Sequence, residues 1–240
     1  MDKKATTGHI TALVTIMIWG TTFISTKILL ADFTPIEILF FRFLLGLLVL
    51  IIIYLKSLKI KDKKQELTFA AAGLCGICLI SFNGKELELN PIGDILAVVA
   101  ALVWAVYSLL TRKISSYGYN TIQTTRRIFT YGILFMLPFL FVFDFNLDVQ
   151  KAIKPEYAIN LIYLGLGASA LCFVTWNYAV GVLGTVKTSV YIYIVPVITA
   201  TSSVIALNEK ITWIAAIGIG LTLIGLFLSE SKLKFRKRGK

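Results

Sequence analysis

Arg42 is the charge least at home in this chain. It lies about six residues into an apolar run that begins at Ile36, roughly 9 Å along a helix at about 1.5 Å per residue. Holding a guanidinium near a bilayer centre costs roughly 2.5–3.5 kcal/mol, and less toward the edge. Two readings follow: the side chain faces a cavity as partner to an anion or carboxylate, or it snorkels outward toward Glu37 or Asp32. A second set of residues is aromatic. Trp19, Trp104 and Tyr107 fall in the middle of apolar runs, whereas membrane aromatics favour the interfaces. They read either as a stacking wall or as core packing. In "FVTWNYAV", Trp176, Asn177 and Tyr178 occupy the inner part of another run. The Asn177 amide needs a partner at that depth, either a solute or a second helix.

A further stripe is polar. Thr188, Tyr191, Val195, Thr199 and Ser202 recur every three or four residues and so share one helix face. Beside it, Pro196 lacks an N–H and loosens the carbonyl of Ile192. Such a face lines a path or packs helix on helix. Thr22, three residues beyond Trp19, joins the cavity candidates. Lys27, Arg112 and Lys113 stand close to run ends and read as anchors.

Other chemistry is missing. The chain has one histidine, His9, no Asp or Glu in a span interior, and no phosphate-cradling glycine loop beside a lysine. An enzyme or nucleotide-driven pump is not expected, nor a metal or cofactor. Cys75 and Cys78 form a C-x-x-C within "AAGLCGICLI", where a thiolate would be desolvated; they read as small residues on one helix face.

The elements that must hold these residues are membrane helices. The 240 residues are 57% hydrophobic and 15% charged, against about 45–50% and about 25% in soluble domains. Eight runs approach bilayer-spanning length: 10–31, 36–55, 67–82, 92–110, 128–143, 158–183, 186–207 and 211–229. The third and fifth are short and are expected to extend into their flanks. Their number argues against reading the first as a cleaved signal peptide. The net charge of +11 does not point to nucleic acid, because it is sorted. With the N-terminus cytoplasmic, the inner segments carry Lys3, Lys4, the lysines of 56–64, Arg112, Lys113, Arg126, Arg127, Lys187 and the tail "KLKFRKRGK". Few basic residues remain outside, which is the positive-inside pattern. A multi-pass protein of the cell membrane with both termini cytoplasmic is expected. Its partners are the lipid bilayer and a small-molecule solute, with a homodimer possible.

The chain also repeats itself. "GHITALVTIMIWG" from Gly8 aligns with "GDILAVVAALVWA" from Gly93 at an offset of 85, which carries Trp19 onto Trp104. "LCGICLI" from Leu74 matches "LIGLFLS" from Leu223 at an offset of 149, so 64 residues of the second half have no partner in the first. Removing a net two spans leaves an odd number in the first half. The second half then starts on the other side of the membrane, which makes the halves inverted repeats of the kind secondary transporters use.

Here "WGTTFISTKIL" followed by "TPIEILFFRFLLG" resembles the opening of the EamA family in the drug/metabolite transporter superfamily. "VYIYIVPVITATSSVIALNEKITWIAAIGIGLTLIGLFL" resembles its last two spans, with Pro196, Glu209, Gly218 and Gly225 in place. The resemblance implies an all-α polytopic membrane protein with two repeats that moves small metabolites or amino-acid-like solutes by alternating access. Family members typically have ten spans, and this chain has about eight. The expected division is a shortened three-helix repeat over 8–83, a five-helix repeat over 92–230 and a basic tail over 231–240. The alternative is a truncated membrane protein that binds or assembles without transporting.

Overall fold

The computed structural model describes residues 3–54, 65, 67–71, 91–143, 145–207 and positions 213, 217 and 220. Its elements are α1 (Lys3–Leu29), α2 (Pro35–Ile53), α3 (Pro91–Ser115), α4 (Thr121–Val142), α5 (Val149–Ala152), α6 (Pro155–Ile162), a π-helical stretch (Tyr163–Leu171), α7 (Cys172–Leu183), α8 (Thr185–Ser189), a 3₁₀ turn (Val190–Ile194) and α9 (Val195–Leu207). No strand occurs among the described residues. Six helices there are long and apolar enough to cross a membrane, the π stretch being the middle of a 29-residue span from Pro155 to Leu183. The expected spans at 67–82 and 211–229 lie largely outside the described residues.

Local chemistry sets the helix ends. Thr34 and Glu37 form a capping box at the start of α2, the Thr34 N–H donating to Glu37 Oε2 at 2.8 Å and the Glu37 N–H to Thr34 Oγ1 at 3.4 Å. Asn120 caps α4 by accepting the Ile122 N–H at 2.8 Å. Gly184 parts α7 from α8 at φ 86°, a backbone state that glycine adopts without a Cβ penalty. Pro196 has the effect its chemistry implies. The Ile192 carbonyl, deprived of an N–H four residues on, takes the Val195 N–H instead, and the preceding turn tightens to 3₁₀.

The ends also reveal direction. On one face, Gly8 abuts Val182 and Leu183, Arg112 Nη1 donates to the carbonyls of Val180 and Gly181, and Arg126 Nη1 donates to the carbonyl of Tyr54. On the other, Glu37 Oε1 accepts the Asn146 N–H at 3.2 Å, and Asp32 receives the Tyr157 hydroxyl and, through its carbonyl, Lys151 Nζ. The start of α1 and the end of α3 therefore share a face, as do the end of α2 and the start of α4. Helices α1 and α2 run opposite to their sequence equivalents α3 and α4. Charge follows the same division. Lys3, Lys4, Arg112, Lys113, Arg126, Arg127 and Lys187 lie toward the first face, hereafter the basic face, whereas Asp32, Glu37, Asp148 and Glu156 lie toward the opposite one.

Small residues let the helices close up, as bilayer packing requires when no hydrophobic drive separates helix from lipid. A Cβ on Gly20 would meet Ile198 Cγ2 at 2.5 Å, and one on Gly165 would meet Leu45 Cβ at 2.7 Å. So α1 lies tightly on α9, and α2 on the π stretch. The core runs through Ile16, Phe43, Tyr107, Phe129, Phe173 and Trp176.

Candidate functional site

Four mid-span aromatics converge where the antiparallel pairs meet. Trp19 of α1 lies 5.6 Å from Trp104 of α3 and 5.3 Å from Trp176 of α7, centroid to centroid. Trp104 stacks on Tyr107 at 5.4 Å and 22°, and lies 5.7 Å from Trp176. Phe173 fills the remaining edge, 5.5 Å from Trp19 and 6.0 Å from Tyr107. Tyr107 and Trp176 are fully buried. Edge-to-face and offset pairs of this kind contribute about 0.5–1.5 kcal/mol each beyond area burial. The result is an aromatic layer across the interior.

Below this layer, toward the basic face, Asn177 finds its partners. Its Oδ1 accepts the Tyr107 hydroxyl at 3.0 Å and its Nδ2 donates to Thr125 Oγ1 at 3.0 Å, which ties α3, α4 and α7 together. Here the amide joins helices, and it also borders a polar cleft of about 180 Å³ lined in part by Thr111, Tyr119, Thr124, Asn177, Tyr178 and Gly181.

Above the layer, toward the opposite face, Arg42 takes neither of the two expected postures in full. Its Nε donates to Ser169 Oγ at 3.0 Å and its Cζ stands 5.8 Å over the Phe43 ring. Glu37 and Asp32, the acids toward which it was expected to snorkel, are occupied in the helix cap and with Lys151 and Tyr157. Among the described residues no carboxylate lies within ion-pair distance of this half-buried guanidinium.

The π stretch makes that arrangement. It presents Ser169 to Arg42 and the neighbouring Ala168 carbonyl to Trp19 Nε1, at 2.9 Å. Inserted π turns recur at functional positions in α-helices. Ser169 and Phe173 were missed in the sequence, where "GLGASA" reads only as small packing residues; the sole signal for Phe173 is its three-residue spacing from Trp176.

The remaining candidates gather elsewhere. Thr199 Oγ1 donates to the Gly20 carbonyl at 2.9 Å, and Ser202 Oγ approaches the same atom at 3.5 Å. Tyr191 shares a 2.6 Å hydrogen bond with His9 Nδ1. Thr188 is buried and donates to the Gly184 carbonyl, Thr22 donates to the Trp19 carbonyl at 2.6 Å, and Pro196 is exposed. The stripe from Tyr191 to Ser202 thus packs along α1 from His9 to Gly20, and none of its residues is among those lining the cleft.

Known proteins share this pattern. The profile of the EamA-like transporter family matches residues 6–84 and 91–230, the second segment much the longer. An uncharacterized transporter of Archaeoglobus fulgidus is 26% identical over 285 aligned positions, which take in 93% of this chain and 97% of the relative. Since 93% of 240 residues is about 223, about 62 positions of that relative have no counterpart here. A probable amino-acid metabolite efflux pump of Escherichia coli is 24% identical, over 72% of this chain and 60% of its own length. A probable terminal-alkyne amino-acid exporter of Streptantibioticus cattleyicolor is 26% identical, over 72% of this chain and 57% of its own. The chain therefore spans less than two thirds of either exporter. It belongs to the EamA family of drug/metabolite transporters and is a multi-pass membrane protein.

Proposed function

We propose that this EamA-family chain is a secondary transporter of small carboxylate-bearing metabolites of the amino-acid type, working by alternating access between its two antiparallel repeats. The observation that carries the reading is Arg42: a half-buried charge inside an apolar span, oriented by Ser169 and without a carboxylate partner among the described residues. An ionisable group in that setting marks a substrate path more often than a structural tie. The solute's carboxylate supplies the missing counter-charge, and the aromatic layer beside it excludes water and accommodates the apolar part. The names of the E. coli and S. cattleyicolor relatives, an amino-acid metabolite efflux pump and an amino-acid exporter, support an amino-acid-like cargo. The charge sorting supports a cell-membrane protein with the basic face and both termini toward the cytoplasm.

Rocking one repeat against the other breaks the layer at the Trp19–Trp104 contact and exposes the site to each side in turn, as in other inverted-repeat carriers. The test is uptake into proteoliposomes preloaded with single amino acids and related 2-oxo acids. Exchange above that of empty vesicles for at least one solute is expected. If none exchanges while the A. fulgidus relative does, the chain is not a transporter.

That result would favour a second reading, a membrane protein that binds or assembles without transporting. The observation behind it is the relative's surplus of about 62 positions, close to two spans of about 20 residues with their connecting loops.

A further inference from the structure

The polar cleft at the basic face holds donors that the transport reading does not use. Ser108, Thr111 and Ser115 follow Trp104 at intervals of four, three and four, so they share one face of α3. Thr111 lines the cleft and is 1% exposed, and Ser108, one turn deeper, is 3% exposed. Neither hydroxyl has a hydrogen-bond partner among the described residues, and the same holds for the indole N–H groups of Trp104 and Trp176. A buried polar group left unpartnered costs roughly 1–3 kcal/mol. Two of these groups lie on the α3 face that reaches the cleft and two in the aromatic layer beyond it, and an indole N–H can only donate.

Among the described residues, the charges placed beside the cleft are basic. Arg112 donates into the cleft wall at Gly181, and the Arg127 guanidinium lies 4.8 Å over the ring of Tyr119, a lining residue. Among the described residues no acidic side chain lines the cleft. At about 180 Å³ it is smaller than the roughly 300–1,000 Å³ sites that take drug-sized ligands.

We propose that this cleft is an anion-selective vestibule that receives a compact solute by its carboxylate, the Thr111 and Ser108 hydroxyls donating to it before it reaches the tryptophans. The proposal rests on the transport reading for its role, but it can be tested without flux. Along α7 and the π stretch the order is Ser169, Phe173, Trp176, Asn177, Gly181. The vestibule and the Arg42 site are thus successive anion stations on either side of the aromatic layer.

The test uses the full chain in nanodiscs carrying Thr111→Cys or, as a second probe position, Thr124→Cys, with the unsubstituted chain as blank. Two thiol reagents of similar size are compared: 2-sulfonatoethyl methanethiosulfonate and its trimethylammonium counterpart, each rate normalised to that with a free thiol in solution. The sulfonate is expected to react faster, by about tenfold, as a focused cationic rim raises anion encounter rates by about ten-fold or more. Adding Ser108→Ala and Thr111→Val to Thr124→Cys is expected to slow the sulfonate several-fold and leave the ammonium rate unchanged. A sulfonate-to-ammonium ratio of one or less, no reaction of the folded protein with either reagent, or no effect of removing the hydroxyls overturns the proposal. Vesicles that fail to exchange solute while the labelling succeeds count against transport and leave the vestibule standing.

Discussion

The rings of Trp19 and Trp104, 85 residues apart in sequence and equivalent in the two repeats, meet edge to face at 5.6 Å and 75°. Because α1 and α3 run antiparallel, the expected inverted repeat would bring equivalent mid-span side chains face to face. The pair is therefore expected to be coupled. A double-mutant cycle with Trp19→Leu and Trp104→Leu, read as unfolding free energy in detergent, should give an interaction of about 0.5–1.5 kcal/mol. Strict additivity would show that the rings merely share a core.

Arg42 is expected to be held for function at the expense of stability. Replacing it with leucine removes a charge from an apolar span and strands only the Ser169 hydroxyl, so Arg42→Leu should keep or raise the melting temperature. A loss of about 3 kcal/mol or more, the size seen when a buried ion pair is broken, would reveal a structural counter-charge.

Asn177 should be structural first. Asn177→Leu removes the acceptor of the Tyr107 hydroxyl and the donor to Thr125. A destabilisation of about 1–3 kcal/mol is expected in chemical unfolding. Thr125→Val, which removes only one of the two bonds, should cost about 1 kcal/mol.

The α1–α9 contact gives a test by rescue. Gly20→Ala places a Cβ at 2.5 Å from Ile198 Cγ2 and 2.6 Å from Ile198 Cβ, so the helices must part and strain the Thr199 bond to the Gly20 carbonyl. Overpacking of this kind costs about 1–3 kcal/mol. Adding Ile198→Gly, which removes both clashing atoms, should recover most of it relative to Ile198→Gly alone, measured as thermal stability in detergent. Failure to recover would place the strain elsewhere.

Much of this arrangement is legible in one dimension because lipid imposes length and apolarity on every span. The runs at 10–31, 36–55 and 92–110, the offset of 85 joining Trp19 to Trp104, and the disturbance at Pro196 all follow from local rules. The Thr34–Glu37 capping box was equally readable, and recognising it would have removed Glu37 as a partner for Arg42. What could not be read is long-range. Nothing within a helical turn of Arg42 announces Ser169, which lies 127 residues on. The π stretch leaves no mark in "YLGLGASAL", and the close approach of Gly165 to Leu45 that goes with it joins residues far apart in sequence. The polar stripe of α8 and α9 shows the same limit: periodicity identifies a shared face but not whether a path or a neighbouring helix covers it.

Counterflow in proteoliposomes of a carboxylate solute and its methyl ester, with the intact chain and with Arg42→Leu, tests the central claim most directly. The intact chain should exchange the carboxylate and not the ester, and Arg42→Leu should lower that exchange at least tenfold while remaining folded. Equal exchange of acid and ester, or undiminished exchange without the guanidinium, would contradict it.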